Sequence, residues 1–182
     1  VAADITTTLV SPDPVIAGNS ITISYTVLNT GNVANNFGVG CEIWQGSTLK
    51  ATVGTQMTGS VSAGSSKSGS FSYTIPSSWS GGTYTARCAA WSGTPGSTNW
   101  LDSSDRNFTV QARVVNADIT VTSVSPDPVS AGNSVTINYT LSNTGNVAND
   151  FGVGCEIWEG STLKASVGAQ MTGSVSVGAN RS

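Results

Sequence analysis

The sequence predicts an all-β protein built from tandem, Greek-key β-sandwiches. Apolar and polar residues alternate with a period of two in several short segments, clusters of Gly, Pro, Asn and Ser separate those segments, and one long block of sequence occurs twice. The composition agrees, because Ser and Thr fill 51 of the 182 positions while charged residues make up only 9%. Residues typical of helix surfaces are therefore scarce, and a helical protein is not expected.

The alternating segments define the strands of the first copy. Ile21, Ile23 and Tyr25 alternate with Thr and Ser, as expected for a strand with one face buried. Eight strands within about 110 residues are typical of an immunoglobulin-like sandwich. The predicted strands are residues 3–10, 20–28, 37–44, 48–53, 56–61, 67–75, 82–91 and 106–111.

The internal repeat predicts the domain organisation. Residues 1–68 align without a gap on residues 115–182, at an offset of 114, with 52 identities. Such similarity indicates tandem copies of one structural unit. The segment that joins them contains no Gly or Pro, which favours a short, stiff connection. The predicted parts are a complete sandwich at 1–111, a linker at 112–116 and a truncated second sandwich at 117–182.

Three segments resemble a known family. They are Tyr-Thr-Val-Leu-Asn-Thr-Gly-Asn-Val-Ala at 25–34, Gly-Gly-Thr-Tyr-Thr-Ala at 81–86 and Asn-Phe-Thr-Val at 107–110. They look like the CARDB-type and related immunoglobulin-like tandem repeats of bacterial and archaeal cell-surface proteins. Members of that family are usually structural or adhesive spacers, so the resemblance implies a non-enzymatic repeat at the cell surface.

The cysteines suggest a disulfide. Cys41 and Cys88 fall on inward positions of strands that should be neighbours in one sheet, so a bridge between them is expected if the protein is exported. The alternative is a pair of buried free thiols. Cys155 repeats Cys41, and the counterpart of Cys88 would lie beyond residue 182. Cys155 is therefore expected to be unpaired or bonded to another chain.

The missing residue types exclude most chemistry. Histidine is absent, which removes every Ser-His and Cys-His pair, and no C-x-x-C spacing suggests zinc. We therefore predict no catalytic residues and no enzyme. The net charge is −3, and no basic surface for nucleic acid is expected. The sequence also contains no run of eighteen apolar residues, the length needed to cross a membrane.

Two tryptophans are candidate ligand contacts. Trp79 and Trp100 are predicted in loops, where they could stack on a carbohydrate or cover the core. Trp44 and Trp91 should lie on the same outer face of a sheet, six residue positions apart along the strand direction. Trp91 is expected to lie over Gly38 and to reach towards Gly40.

Other ligands have weaker support in the sequence. Asp13, Asp102 and Asp105, all predicted in loops or turns, are candidate calcium ligands, with solvated turn residues as the alternative. No other metal or cofactor is predicted. Possible N-glycosylation sites are Asn107, Asn138 and Asn180, a number no greater than chance.

The leading functional hypothesis is a structural one. A repeated, weakly charged unit with short turns suits an extracellular building block of a surface filament, stalk or adhesin rod. Its partners would be further repeats of the same array, or other copies of itself, with possible glycans attached. The alternative is a carbohydrate- or surface-binding accessory module of a larger secreted protein.

Overall fold

The computed structural model describes residues 1–97 and 99–182, which form thirteen strands and no helix. The chain divides into two compact units, Val1–Ala112 and Arg113–Ser182. Among the described residues, no helix of the length and apolarity needed to cross a membrane occurs. The all-β fold class predicted by the alternation is confirmed.

The first unit is a sandwich of a three-stranded and a five-stranded sheet. Neighbouring strands are antiparallel except for β2 (Val15–Ile16), which runs parallel to β8 (Trp100–Gln111). The smaller sheet has the order β1 (Ala3–Ser11), β3 (Ser20–Asn29), β6 (Ser66–Thr74). The larger sheet has the order β2 (Val15–Ile16), β8 (Trp100–Gln111), β7 (Gly82–Ser92), β4 (Asn35–Gln45), β5 (Thr48–Val61).

The core lies between the two sheets. Each sheet turns its apolar positions inward, and the alternating neighbours point to the outer face, because side chains on a strand point to opposite faces in turn. At the start of β7, the Tyr84 hydroxyl donates a hydrogen bond to the carbonyl of Ser80 (3.0 Å), an arrangement like the tyrosine corner of immunoglobulin-like folds. The main buried residues are Ile21, Ile23, Tyr25, Val27, Phe37, Val39, Cys41, Ile43, Tyr84, Cys88 and Phe108.

Two strand predictions were wrong, and β2 was not predicted at all. The expected strands 48–53 and 56–61 form one continuous strand, β5. Its pairing with β4 shifts in register at three points along the ladder. The last strand begins at Trp100 instead of residue 106, so Trp100, Asp102 and Asp105 lie on β8 and not in a loop. The polar sequence of residues 102–107 has little strand propensity by itself, but pairing with β7 overrides it.

Side chains from the N-terminal half of β8 protect the edge strand β1. Oδ2 of Asp102 accepts a hydrogen bond from the Ile5 amide (2.8 Å), and Oγ of Ser104 accepts one from the Thr7 amide (3.1 Å). The Thr7 hydroxyl donates in return to the Ser104 carbonyl (2.8 Å). Backbone donors that could pair with another chain are thereby satisfied within the unit.

The second unit repeats part of this arrangement. One sheet contains β13 (Asn180–Arg181), β10 (Thr136–Asn143) and β9 (Ala117–Ser125), and the other pairs β11 (Asn149–Glu159) with β12 (Thr162–Val175). Residues 69–112, which include β7 and β8, have no counterpart among the 182 residues. Ile119 is consequently 53% exposed, whereas its counterpart Ile5 is 4% exposed.

Candidate functional site

A disulfide fixes the centre of the larger sheet. Cys41 on β4 and Cys88 on β7 are paired in register and joined by a disulfide, 47 residues apart in sequence. Both are buried in the core, on the opposite side of the sheet from the features described next. The bridge therefore holds together the two strands that form the middle of the outer face.

The outer face of this sheet carries a groove of about 470 Å³, which we call the outer-face groove. Its floor is a row of small residues that are register neighbours on four adjacent strands. Small side chains in one row leave a channel across the strands, since larger residues stand on either side of it. The row consists of Ser103, Ala89, Gly40 and Thr55.

Aromatic residues form one wall of the outer-face groove. Trp91 and Trp100 are paired in register on β7 and β8, and Trp100 is 55% exposed. A Cβ atom placed on Gly40 would lie 3.3 Å from Cζ3 of Trp91, so the indole covers this glycine. Trp91 therefore reaches Gly40, whereas Gly38 is covered by Pro95 and the carbonyl of Gly93, with no room for a side chain.

Charged residues form the opposite wall. Arg87 donates two hydrogen bonds to Asp105, from Nε to Oδ1 (2.7 Å) and from a terminal nitrogen to Oδ2 (2.8 Å). Its guanidinium carbon lies 5.5 Å from the ring centre of Trp44, and the Trp44 Nε1–H donates to Oε2 of Glu42 (3.0 Å). Glu42 and Arg87 line the groove, and Trp44 and Asp105 hold them in place.

The electrostatics of this wall follow from the ion pair. Hydrogen bonding to Arg87 lowers the pKa of Asp105, although partial burial opposes the shift. The same bond raises the pKa of Arg87. Both groups thus stay ionised at neutral pH and cancel each other's charge, and Glu42 adds one formal negative charge to this wall.

Trp79 lies away from the outer-face groove. Its indole stacks on the ring of Tyr84, with ring centres 4.9 Å apart and planes 7° apart, and Nζ of Lys50 lies 5.7 Å from its ring centre. The residue is partly buried and packs against the core. Of the two roles left open by the sequence, this geometry favours a cover on the core.

Each of the three calcium candidates accepts a hydrogen bond from a different group of the same chain. Asp102 binds the Ile5 amide, Asp105 binds Arg87, and Oδ1 of Asp13 accepts from the amide of Thr109 (2.8 Å). Within residues 1–97 and 99–182, no group of three or more His, Cys, Asp or Glu side chains could hold a metal.

The remaining candidates are accessible at the surface. Asn107, Asn138 and Asn180 are exposed, and each forms a side-chain hydrogen bond with a nearby Ser or Thr. Cys155 is a free, partly exposed thiol. N-glycosylation of the three asparagines stays a prediction.

Sequence reasoning missed the groove because it started the last strand at residue 106, six residues after β8 begins. Trp44 and Trp91 were correctly placed on one face, but with Trp100 in a loop nothing put two indoles side by side. Residues 102–106 are all polar and show no alternation, so no local signal extends the last strand back to Trp100.

Comparison with known proteins yields only distant likenesses. No protein-family model matches the chain, and no curated protein matches it. Among solved structures, a CARDB domain from Pyrococcus furiosus in complex with di-metal ions is 16% identical, with a TM-score of 0.41 over 61% of this chain and 92% of that one.

Two enzyme structures are similar over a small part of their own length. A cycloisomaltooligosaccharide glucanotransferase from Paenibacillus sp. is 20% identical (TM-score 0.43), and the match covers 60% of this chain and 14% of the enzyme. A β-glucosidase from Listeria innocua, solved with glucose, is 13% identical (TM-score 0.42), with 60% and 16% covered. Likenesses this distant do not assign a function.

Proposed function

We propose that this chain is a non-enzymatic, extracellular structural protein whose sandwiches repeat along a surface filament, stalk or adhesin rod. The observation that carries the proposal is the repeat: 52 of 68 aligned positions are identical at a constant offset of 114. An array that extends along one direction is built from many equivalent units, each in contact with its neighbours.

The structure of the first unit supports this role. The Cys41–Cys88 disulfide joins the two central strands of the larger sheet, and disulfides persist in oxidising, extracellular environments. Two amides of the edge strand β1, those of Ile5 and Thr7, are bonded by Asp102 and Ser104, which discourages uncontrolled pairing between units along this edge. The partners would be further copies of the same repeat.

Electron microscopy of the native material that contains this chain tests the proposal. We expect regular fibres with an axial repeat close to the length of one sandwich, roughly 40 Å for strands of this length. Dispersed particles without an axial repeat would contradict it.

A second candidate function is a carbohydrate- or surface-binding accessory module. The observation that favours it is the outer-face groove, where the half-exposed indole of Trp100 stands beside polar side chains. Retention of the 182-residue chain on immobilised polysaccharides, against a column without polysaccharide, tests this function. Passage at the same rate through both columns would contradict it.

A further inference from the structure

We propose that the outer-face groove binds a neutral, linear oligosaccharide that lies across strands β8, β7, β4 and β5. The inference rests on the second candidate function, names its site and ligand, and is independent of the structural role. Three features of the groove carry it: the indoles, the length of the floor, and the charge of the polar wall.

The indoles supply the apolar surface that a sugar ring needs. The face of an aromatic ring carries partial negative charge and attracts the weakly positive C–H groups on one side of a pyranose. Trp100 lines the groove and is 55% exposed, and Trp91 is held in place over Gly40. One indole is therefore preorganised by packing, while the other is available for a ligand to cover.

The floor has the dimensions of a short sugar chain. Ser103, Ala89, Gly40 and Thr55 are successive register neighbours, so the row crosses three inter-strand spacings. At about 4.8 Å per spacing the row is about 14 Å long, enough for two or three hexose rings. The groove volume of about 470 Å³ lies within the range of small-molecule sites.

The polar wall favours hydroxyl groups over charged ligands. Among the described residues, Oε1 of Glu42 and the hydroxyls of Ser103 and Thr55 have no protein hydrogen bond, so they can pair with sugar hydroxyls. Arg87 is neutralised by Asp105, and Glu42 leaves a small negative charge. An anionic glycan would therefore be disfavoured.

The test is affinity electrophoresis of the 182-residue chain in two kinds of gel. One kind contains a neutral linear polysaccharide, such as xylan, glucomannan or a β-glucan, and the other contains alginate, which is anionic. We expect retardation by at least one neutral polymer and none by alginate. A proline-rich peptide, which could also contact indoles, is added as a competitor in solution and should not release the chain.

Three variants locate the site. Trp100→Ala should weaken binding about ten-fold because it removes the exposed indole, and Ala89→Gln should weaken it similarly by filling the floor. Trp158→Ala is the matched control, since Trp158 lies in the second unit and is 53% exposed, almost the same as Trp100. It should leave binding unchanged. An unchanged melting temperature shows that each variant is folded.

The possible failures are distinguishable. If Trp158→Ala weakens binding as much as Trp100→Ala, the indoles bind non-specifically and the proposed site is wrong. Retardation that survives both groove variants would place carbohydrate binding elsewhere and overturn the site alone. Competition by the peptide would identify a different ligand class. No retardation in any gel would overturn both the site and the second candidate function.

Discussion

Asn29 is completely buried, and its side-chain amide holds three backbone groups of the surrounding loops. Nδ2 donates to the carbonyls of Val33 (2.9 Å) and Val61 (2.8 Å), and Oδ1 accepts from the Gly31 amide (3.0 Å). The counterpart in the second unit, Asn143, makes the same three bonds. The motif is thus complete locally and does not depend on β7 and β8.

Replacing this residue should be costly. Asn29→Ala removes the donor to the carbonyls of Val33 and Val61, whereas the Gly31 amide keeps its bond to the Ala2 carbonyl (3.1 Å). The first unit should therefore lose about 2 kcal/mol of unfolding free energy, at roughly 1 kcal/mol per carbonyl that loses its bond. Urea unfolding followed by tryptophan fluorescence measures the loss. The exposed Asn36 is the control, and Asn36→Ala should change stability by less than about 0.5 kcal/mol. Equal effects of both substitutions would contradict the argument.

The Arg87–Asp105 pair gives a prediction about pH. Its hydrogen bonds lower the pKa of Asp105 in the folded state, so the pair stabilises the fold above the unfolded pKa of aspartate, and this contribution disappears as the pH falls through the folded pKa. Because both side chains are about half exposed, the stabilisation is below about 1 kcal/mol. Arg87→Gln should raise the pKa of Asp105 in a carboxyl NMR titration, whereas Arg106→Gln should not. An unchanged Asp105 titration in Arg87→Gln would show that the pair does not form in solution.

At the scale of elements, the disulfide between β4 and β7 should contribute substantially to the stability of the first unit. Closing a loop of 47 residues stabilises the folded state by about 4 kcal/mol in the chain-entropy model. The double variant Cys41→Ala/Cys88→Ala should therefore melt well below the parent chain in calorimetry, and a reductant should not lower its melting temperature further. Cys155→Ser is the control, because Cys155 is a free thiol. A double variant as stable as the parent would contradict the expectation.

The elements also show what the sequence could predict. Alternation identified the central strands, and pairing Cys41 with Cys88 correctly placed Trp44 opposite Thr85 and Trp91 opposite Gly38. The alternation did not identify segments that become strands only by pairing with a neighbouring strand. Residues 100–105 form a strand because β7 pairs with them, and β2 forms because β8 lies beside it. The outer-face groove depends on that pairing, since only a β8 that reaches Trp100 brings this indole beside Trp91. It could not be found by local patterns alone.

At the scale of the whole molecule, the two units allow the burial of equivalent residues to be compared with and without β7 and β8. They share 52 of 68 aligned residues, yet several apolar residues that are buried in the first unit have exposed counterparts in the second. Val10 is buried while its counterpart Val124 is exposed, and Ile43 is buried while Ile157 is exposed. The difference lies in the covering strands β7 and β8, because the residues themselves are the same.

Adding those strands should complete the second unit. If residues 69–112 are copied after Ser182, the apolar face should become buried, and Cys155 should meet a copy of Cys88 in the register seen for Cys41. Alkylation of the unreduced protein should then fall from one labelled thiol per chain to none. Hydrogen exchange in β10 should slow to the rate of β3, since burial protects its amides. A copy of the same length with both strands scrambled is the control. Continued labelling of Cys155 in the extended chain would mean that the two repeats, despite their sequence identity, do not fold to the same unit.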